Sequence, residues 1–286
     1  MKGTAAAAVG MIMAGIVLAG AGYMLVGADV KGFNSKDNHF VEKSYECKDE
    51  ITDIRIRETS GAVVLQTGDT DKVSVSYMDK EDESVYEITE SDGRLEIVRK
   101  EKGGFHFFSI DFSEHIMTVT VPDSLKGSVE ISDAGGSIRL DGISAEEIEA
   151  TNASGSVKLN DVSCEKDLTV ENASGSIALT DVDAGGNASV HGVSGGIRLE
   201  NLTAGKDVKV KNTSGSIKVE NLKADGDISL ENTSGSIKGT IAGKESDYSI
   251  SAHVTTGSSN LQNSSQGGQA LNVSATTGSI KIGFTE

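Results

Sequence analysis

The chain has 286 residues, with 43 Asp and Glu against 26 Lys and Arg and a net charge of −17. That acidic balance argues against a nucleic-acid binder, which needs a basic face to displace counterions from phosphate. With 34 Gly, one Pro, no Trp and 4% aromatic residues, small and branched aliphatic side chains must pack the core, while a hydrophobic content of 37% argues against wholesale disorder.

Lys2 is the single charge in residues 1–28, and the uncharged run 3–28 is 26 residues long. A cleavable signal carries an apolar stretch of about 7 to 15 residues, whereas a spanning helix needs about 20. The length predicts an N-terminal transmembrane helix. A secretory signal cleaved after Val26-Gly27-Ala28, leaving a secreted protein, is the competing reading. Both place the rest outside the cytoplasm, in agreement with Lys2 on the inner side. Residues 29–50 read as a polar juxtamembrane linker that includes Cys47. Two cysteines in a chain this long do not suggest a disulfide scaffold, and whether Cys47 and Cys164 pair stays open.

Residues 51–128 contain strand-like alternations at Ile54-Arg55-Ile56, Val63-Val64-Leu65, Val73-Ser74-Val75, Leu95-Glu96-Ile97 and Met117-Thr118-Val119-Thr120-Val121. They lack a tight beat, although Thr59-Ser60-Gly61-Ala62-Val63 echoes the phrase that follows. This region is expected to be an irregular β cap, protecting a sheet end that would otherwise pair with other chains. The loop Gly103-Gly104-Phe105-His106-Phe107-Phe108, with Phe112, covers the first rung or forms an apolar tip for a membrane or partner.

From 129 to 286 an internal repeat dominates. Ala153-Ser154-Gly155-Ser156-Val157-Lys158-Leu159 returns at 173–179, 193–199, 213–219 and 233–239, with glycines 20 residues apart at 155, 175, 195, 215 and 235. An earlier copy surrounds Gly136, and later ones surround Gly257 and Gly278. A fixed period of this size marks a stacked solenoid. Within a unit, Leu168-Thr169-Val170 and Ile177-Ala178-Leu179 alternate with period two, the signature of strands. Identical strands recurring at one place per turn run parallel, and parallel crossovers are right-handed. The expected fold is therefore all-β: a right-handed parallel β-solenoid of about 20 residues per rung, with the cap and helix before it.

Each recurring glycine is expected at a corner where φ is positive or backbones approach closely. Asn152, Asn172, Asn212 and Asn232 would stack beside it as a ladder of amides. Their Asn-x-Ser phrases match a glycosylation sequon as a by-product of the repeat. Asp161 and Asp181 share one position, and Asp167, Asp207 and Asp227 another, which reads as turn chemistry. Cys164 stands where other units have Ala184, Ala204 and Ala224, the place of a small buried residue.

Alternation places Arg139, Lys158, Ala178, Arg198, Lys218 and Lys238 outward, one per rung, with Lys281 in the last copy. The local explanation of this stripe is neutralisation by Asp141, Glu200 and Glu220, two residues along the same face. The functional one is that Arg139, Lys158, Arg198, Lys218 and Lys238 engage an anionic envelope polymer, such as a teichoic acid or acidic polysaccharide, through many weak salt-sensitive contacts.

The recurrent Ser-Gly-Ser-Ile-x-Val/Leu phrase, the single proline in Val119-Thr120-Val121-Pro122 before the regular units, and the N-terminal apolar run resemble a bacterial putative-adhesin family, a β-strand-repeat domain of unknown function. The resemblance covers residues 51–286. It implies an extracytoplasmic β-solenoid, links some relatives to envelope-stress responses, and supplies no catalytic residues.

Parallel β-helices also host polysaccharide lyases and hydrolases, whose sites need clustered carboxylates with a base or metal. Here the five histidines lie in unrelated contexts, and no zinc spacing, phosphate loop or calcium-binding nonapeptide occurs in the sequence. No catalytic, cofactor or metal residues are assigned. The expected function is a membrane-anchored, non-enzymatic scaffold or adhesin-like binder. An envelope-stress sensor acting through another envelope protein is the alternative, and a polysaccharide-active enzyme the minor one.

Overall fold

The computed structural model describes residues 40–80, 84–100, 115–123 and 125–285. The expected helix and the Phe-rich loop lie outside them. No helix among the described residues is long and apolar enough to cross a membrane.

Two long sheets, one of twelve strands and one of eleven, run side by side along the molecule. Each repeat contributes one strand to each, for example Leu168–Ser174 to one and Ile177–Ala184 to the other. Neighbouring repeats pair in parallel, residue for equivalent residue: Leu168 with Ala188, Ile177 with Ile197 and Val182 with Leu202. The reason is the alternation itself. A slip of one residue would turn every inward aliphatic to solvent, and the inward set is fully committed, with Val157, Leu159, Leu168, Val170, Leu179, Val210, Ile217 and Leu230 at most 1% exposed. Each such side chain contributes about 1.5–3 kcal/mol when buried, and it is buried only because a rung lies above and below.

At the first corner Gly155, Gly175, Gly195, Gly215 and Gly235 have φ between +110° and +134°. Gly175 also meets the backbone of the rung beneath, since a Cβ there would collide with the carbonyl of Gly155. Both requirements exclude a side chain. The amides beside this corner do not bond to one another. Asn172 Nδ2 donates to the Gly155 carbonyl, Asn212 to Gly195 and Asn232 to Gly215, at 2.8–2.9 Å. The side-chain ladder lies instead at the second corner, where Asp161, Asp181, Asn201 and Asn221 have φ of +52° to +54°. There Asn201 donates to Asp181 and Asn221 to Asn201. At the third corner the Asp167 carboxylate accepts the backbone N–H of Asn187, and Asp207 that of Asp227, both at 2.8 Å. These turn residues clip one rung to the next.

The stack is out of chain order at both ends. Asp53–Glu58 and Ala62–Thr67 form a full rung directly under Ser128–Asp133 and Ile138–Asp141, with Gly61 stacked against Gly136. Arg94–Arg99 and Ile116–Val121 lie outside that rung. At the other end, Gln269–Thr277 and Ile280–Thr285 pair with Ile228–Ser234 and Ile237–Ala242, and the earlier Tyr248–Thr256 is outermost. Chain order would have placed the copy at Gly257 inside the copy at Gly278. The phrase is the same in both, and the segment 257–268 lets the chain cross over before returning. That segment covers the edges: Ser264 exchanges backbone bonds with Ile250, and Asn260 bonds both N–H and C=O of Ile282.

The expected linker 29–50 is corrected for its second half. Phe40–Glu46 is a strand antiparallel to Ser74–Lys80, and Cys47 is fully buried. The alternation there is weak because Lys43 points inward, where it meets the buried carboxylate of Asp79 at 3.2 Å. Cys47 and Cys164 are separate, buried free thiols.

Candidate functional site

The stripe forms as one continuous column on the twelve-stranded sheet. Arg139 is in register with Lys158, Lys158 with Ala178, Ala178 with Arg198, Arg198 with Lys218, Lys218 with Lys238, and Lys238 with Lys281. All six cations are exposed, and Ala178 is half-buried. The column is straight because the aliphatics on either side of each cation, such as Ile217 and Val219 around Lys218, are locked into the core.

The two arginines are neutralised locally. Arg139 pairs with Asp141, and Arg198 with Glu200 at 2.9 Å. Burial works against the Asp141 carboxylate, but Arg139 and Asn160 outweigh it and hold its pKa below the ordinary value. Among the described residues, Lys158, Lys218, Lys238 and Lys281 form no ion pair. Glu220 therefore does not close on Lys218 as the sequence spacing suggested.

A second charged feature was missed in the sequence: a buried acidic end to the column of asparagines. Asn152 is in register with Asp133, and Asp133 with Glu58. Glu58 accepts bonds from the N–H groups of Thr59, Ser60 and Gly61, from Tyr86 Oη at 2.6 Å and from Arg99 at 2.9 Å. Burial pushes its pKa up, yet Tyr86, Arg99 and the backbone donors prevail and hold it low. Asp133 receives the N–H groups of Gly135 and Gly136 on Oδ1, while Oδ2 is buried without a partner. Burial raises its pKa from 3.8 to about 6 against the backbone N–H groups of Gly136, Gly135 and Ala134, with the Glu58 charge adding to the rise. The sequence signal was the shared offset of Glu58, Asp133 and Asn152 from their glycines.

The profile of the Toastrack DUF4097 family matches residues 51–282. The chain belongs to that family. The resemblance to a putative-adhesin family of β-strand repeats is borne out with it. Among solved structures, this Toastrack chain resembles a putative adhesin from Bacteroides fragilis, with a TM-score of 0.54 and 17% identity over 85% of this chain and 97% of that one. A putative lipid binding protein from Parabacteroides distasonis gives 0.45 and 19% over 85% and 96%. A putative adhesin from Parabacteroides merdae gives 0.37 and 13% over 86% and 97%. The first likeness is one of fold. No curated protein matches the sequence. The stripe and the acidic end of this Toastrack domain are thus properties read from its own residues.

Proposed function

We propose that the protein is a membrane-anchored, extracytoplasmic, non-enzymatic scaffold, a right-handed β-solenoid whose basic stripe binds an anionic polymer of the cell envelope. The observation that carries this reading is a column of six cations over seven rungs, interrupted at Ala178, on a chain of net charge −17, with Lys158, Lys218, Lys238 and Lys281 left without ion-pair partners among the described residues. Unit charges about 4.8 Å apart in water repel by roughly 0.9 kcal/mol, and a linear polyanion laid along the column relieves that repulsion. The non-enzymatic reading is supported by the corner carboxylates, since Asp167, Asp207 and Asp227 are occupied by backbone N–H groups of the next rung. The anchor rests on the uncharged run of residues 3–28.

The test compares the full chain in neutral detergent with a Lys158→Gln, Arg198→Gln, Lys218→Gln, Lys238→Gln variant for binding to purified cell wall, at low salt and at about 0.15 M. The reading expects binding that weakens with salt and is lost in the variant; equal binding by the two proteins refutes it. Protease added to intact cells should digest the repeats of a chain that fractionates with the membrane, and repeats protected until lysis would overturn the orientation.

A further inference from the structure

The reversed order of the last two rungs changes the stripe. In chain order the neighbour of Lys238 would be supplied by the rung after Gly257, where the equivalent residue is Asn260, since Ser259 bridges to Ile280. Because Gln269–Thr277 and Ile280–Thr285 fill the inner place, Lys281 lies directly beside Lys238. Arg198, Lys218, Lys238 and Lys281 thus occupy four consecutive rungs without a gap, whereas Ala178 interrupts the column on the other side.

The flanking positions differ along the column as well. Beside Arg139, Arg198 and Lys218 stand Asp141, Glu200 and Glu220, but beside Lys238 and Lys281 stand Thr240 and Gly283. On the opposite flank comes the corner residue, which is serine beside every cation of the column except Arg198, where it is Gly196; Ser236 and Ser279, in the last two rungs, hold no hydroxyl hydrogen bond among the described residues, and this flank does not distinguish the two ends. The two arginines, whose planar fork suits carboxylates, are consumed by Asp141 and Glu200. The free cations of the column are all ammonium groups, point charges that attract phosphate and carboxylate alike.

Building on the proposed polyanion-binding role, we propose that a linear polyanion lies along the stack axis and is held at the C-terminal end of the stripe by Lys218, Lys238 and Lys281, with Ser236 and Ser279 as hydroxyl donors. The rung inversion is what makes this end the strongest stretch of uncompensated charge on the column.

The experiment uses the full chain in neutral detergent, with long-chain inorganic polyphosphate, tripolyphosphate and polygalacturonate as probes at equal charge. Two double variants remove the same charge from opposite ends: Lys238→Gln with Lys281→Gln, and Arg139→Gln with Lys158→Gln. The C-terminal pair should lose about tenfold in affinity for long polyphosphate and for polygalacturonate and the other pair less than about threefold, with tripolyphosphate binding more weakly than either polymer. Equal losses from the two pairs, or tripolyphosphate binding as tightly as the long polymers, would overturn this assignment and leave a general polyanion stripe standing. Polymer binding that none of the substitutions affects would overturn the stripe itself, and circular dichroism of each variant checks that the fold is retained.

Discussion

Replacing Asp133 with asparagine should make the protein more stable at neutral pH, against the usual direction for a change at a buried site. Asn152, in register with Asp133, donates its Nδ2 to the Gly136 carbonyl at 2.9 Å. In Asp133 the equivalent atom is Oδ2, buried without a partner, in a rung where Gly61 stacks beneath Gly136 as Gly136 does beneath Gly155. An acceptor stands where its neighbours have a donor. The folded state therefore favours the protonated acid, and the pKa moves from 3.8 to about 6. A raised carboxyl pKa means that the folded chain binds more protons than the unfolded one between those two values. Stability then falls as pH rises through the window, and the penalty is complete above it. Two units at 1.36 kcal/mol each amount to about 3 kcal/mol at neutral pH. Asp133→Asn removes the titration and restores the donor, so it should gain about 3 kcal/mol at pH near 7.5 and almost nothing at pH near 4. Urea denaturation followed by far-UV circular dichroism at the two pH values measures this, with Asn152→Asp expected to show the opposite trend. A variant no more stable than the parent at neutral pH, or one that gains equally at both, would refute the reasoning.

Gly175→Val should cost at least about 2 kcal/mol in the same assay, because φ is +126° and a Cβ meets the Gly155 carbonyl, whereas the exposed Ser174→Ala should cost far less. Cys47 and Cys164, whose thiols burial pushes up to about 12, should resist a thiol reagent at pH 8 in the native protein and react fully in urea; rapid native labelling would contradict their placement. Deleting residues 269–285 removes the rung that pairs with both Ile228–Ser234 and Tyr248–Thr256, so hydrogen exchange should show protection lost at 248–256 as well; retained protection there would mean that the outer strand docks without the inner one.

The repeat was legible because two periods coincide in it. The alternation of Ile177, Leu179 and Val182 sets the faces, and the 20-residue beat of the glycines sets the register. The stripe followed, since an outward column is fixed once its inward neighbours are. Rung order was not legible, because Gly257 and Gly278 carry the same local phrase and nothing within either says which docks first. Phe40–Glu46 was missed because its pairing is antiparallel and its inward Lys43 depends on Asp79, a partner 36 residues away. The asparagines were placed correctly, but their bonds run to carbonyls of the preceding rung, a backbone property that side-chain spacing does not display.

The crossed order of the last rungs also bears on timing. A chain made from its N-terminus delivers Tyr248–Thr256 before Gln269–Thr277, yet the later strand must lie between the earlier one and the body. Growth of the sheet by simple addition therefore stops at Ile237–Ala242, and the final two rungs close together once Thr285 has emerged. Until then the strand Ile228–Ser234 keeps an unpaired edge. A chain cut short between residues 270 and 285 would present that edge, or a half-filled one, to proteases and to its own copies. Closure of the C-terminal rungs is thereby coupled to synthesis of the chain through Thr285.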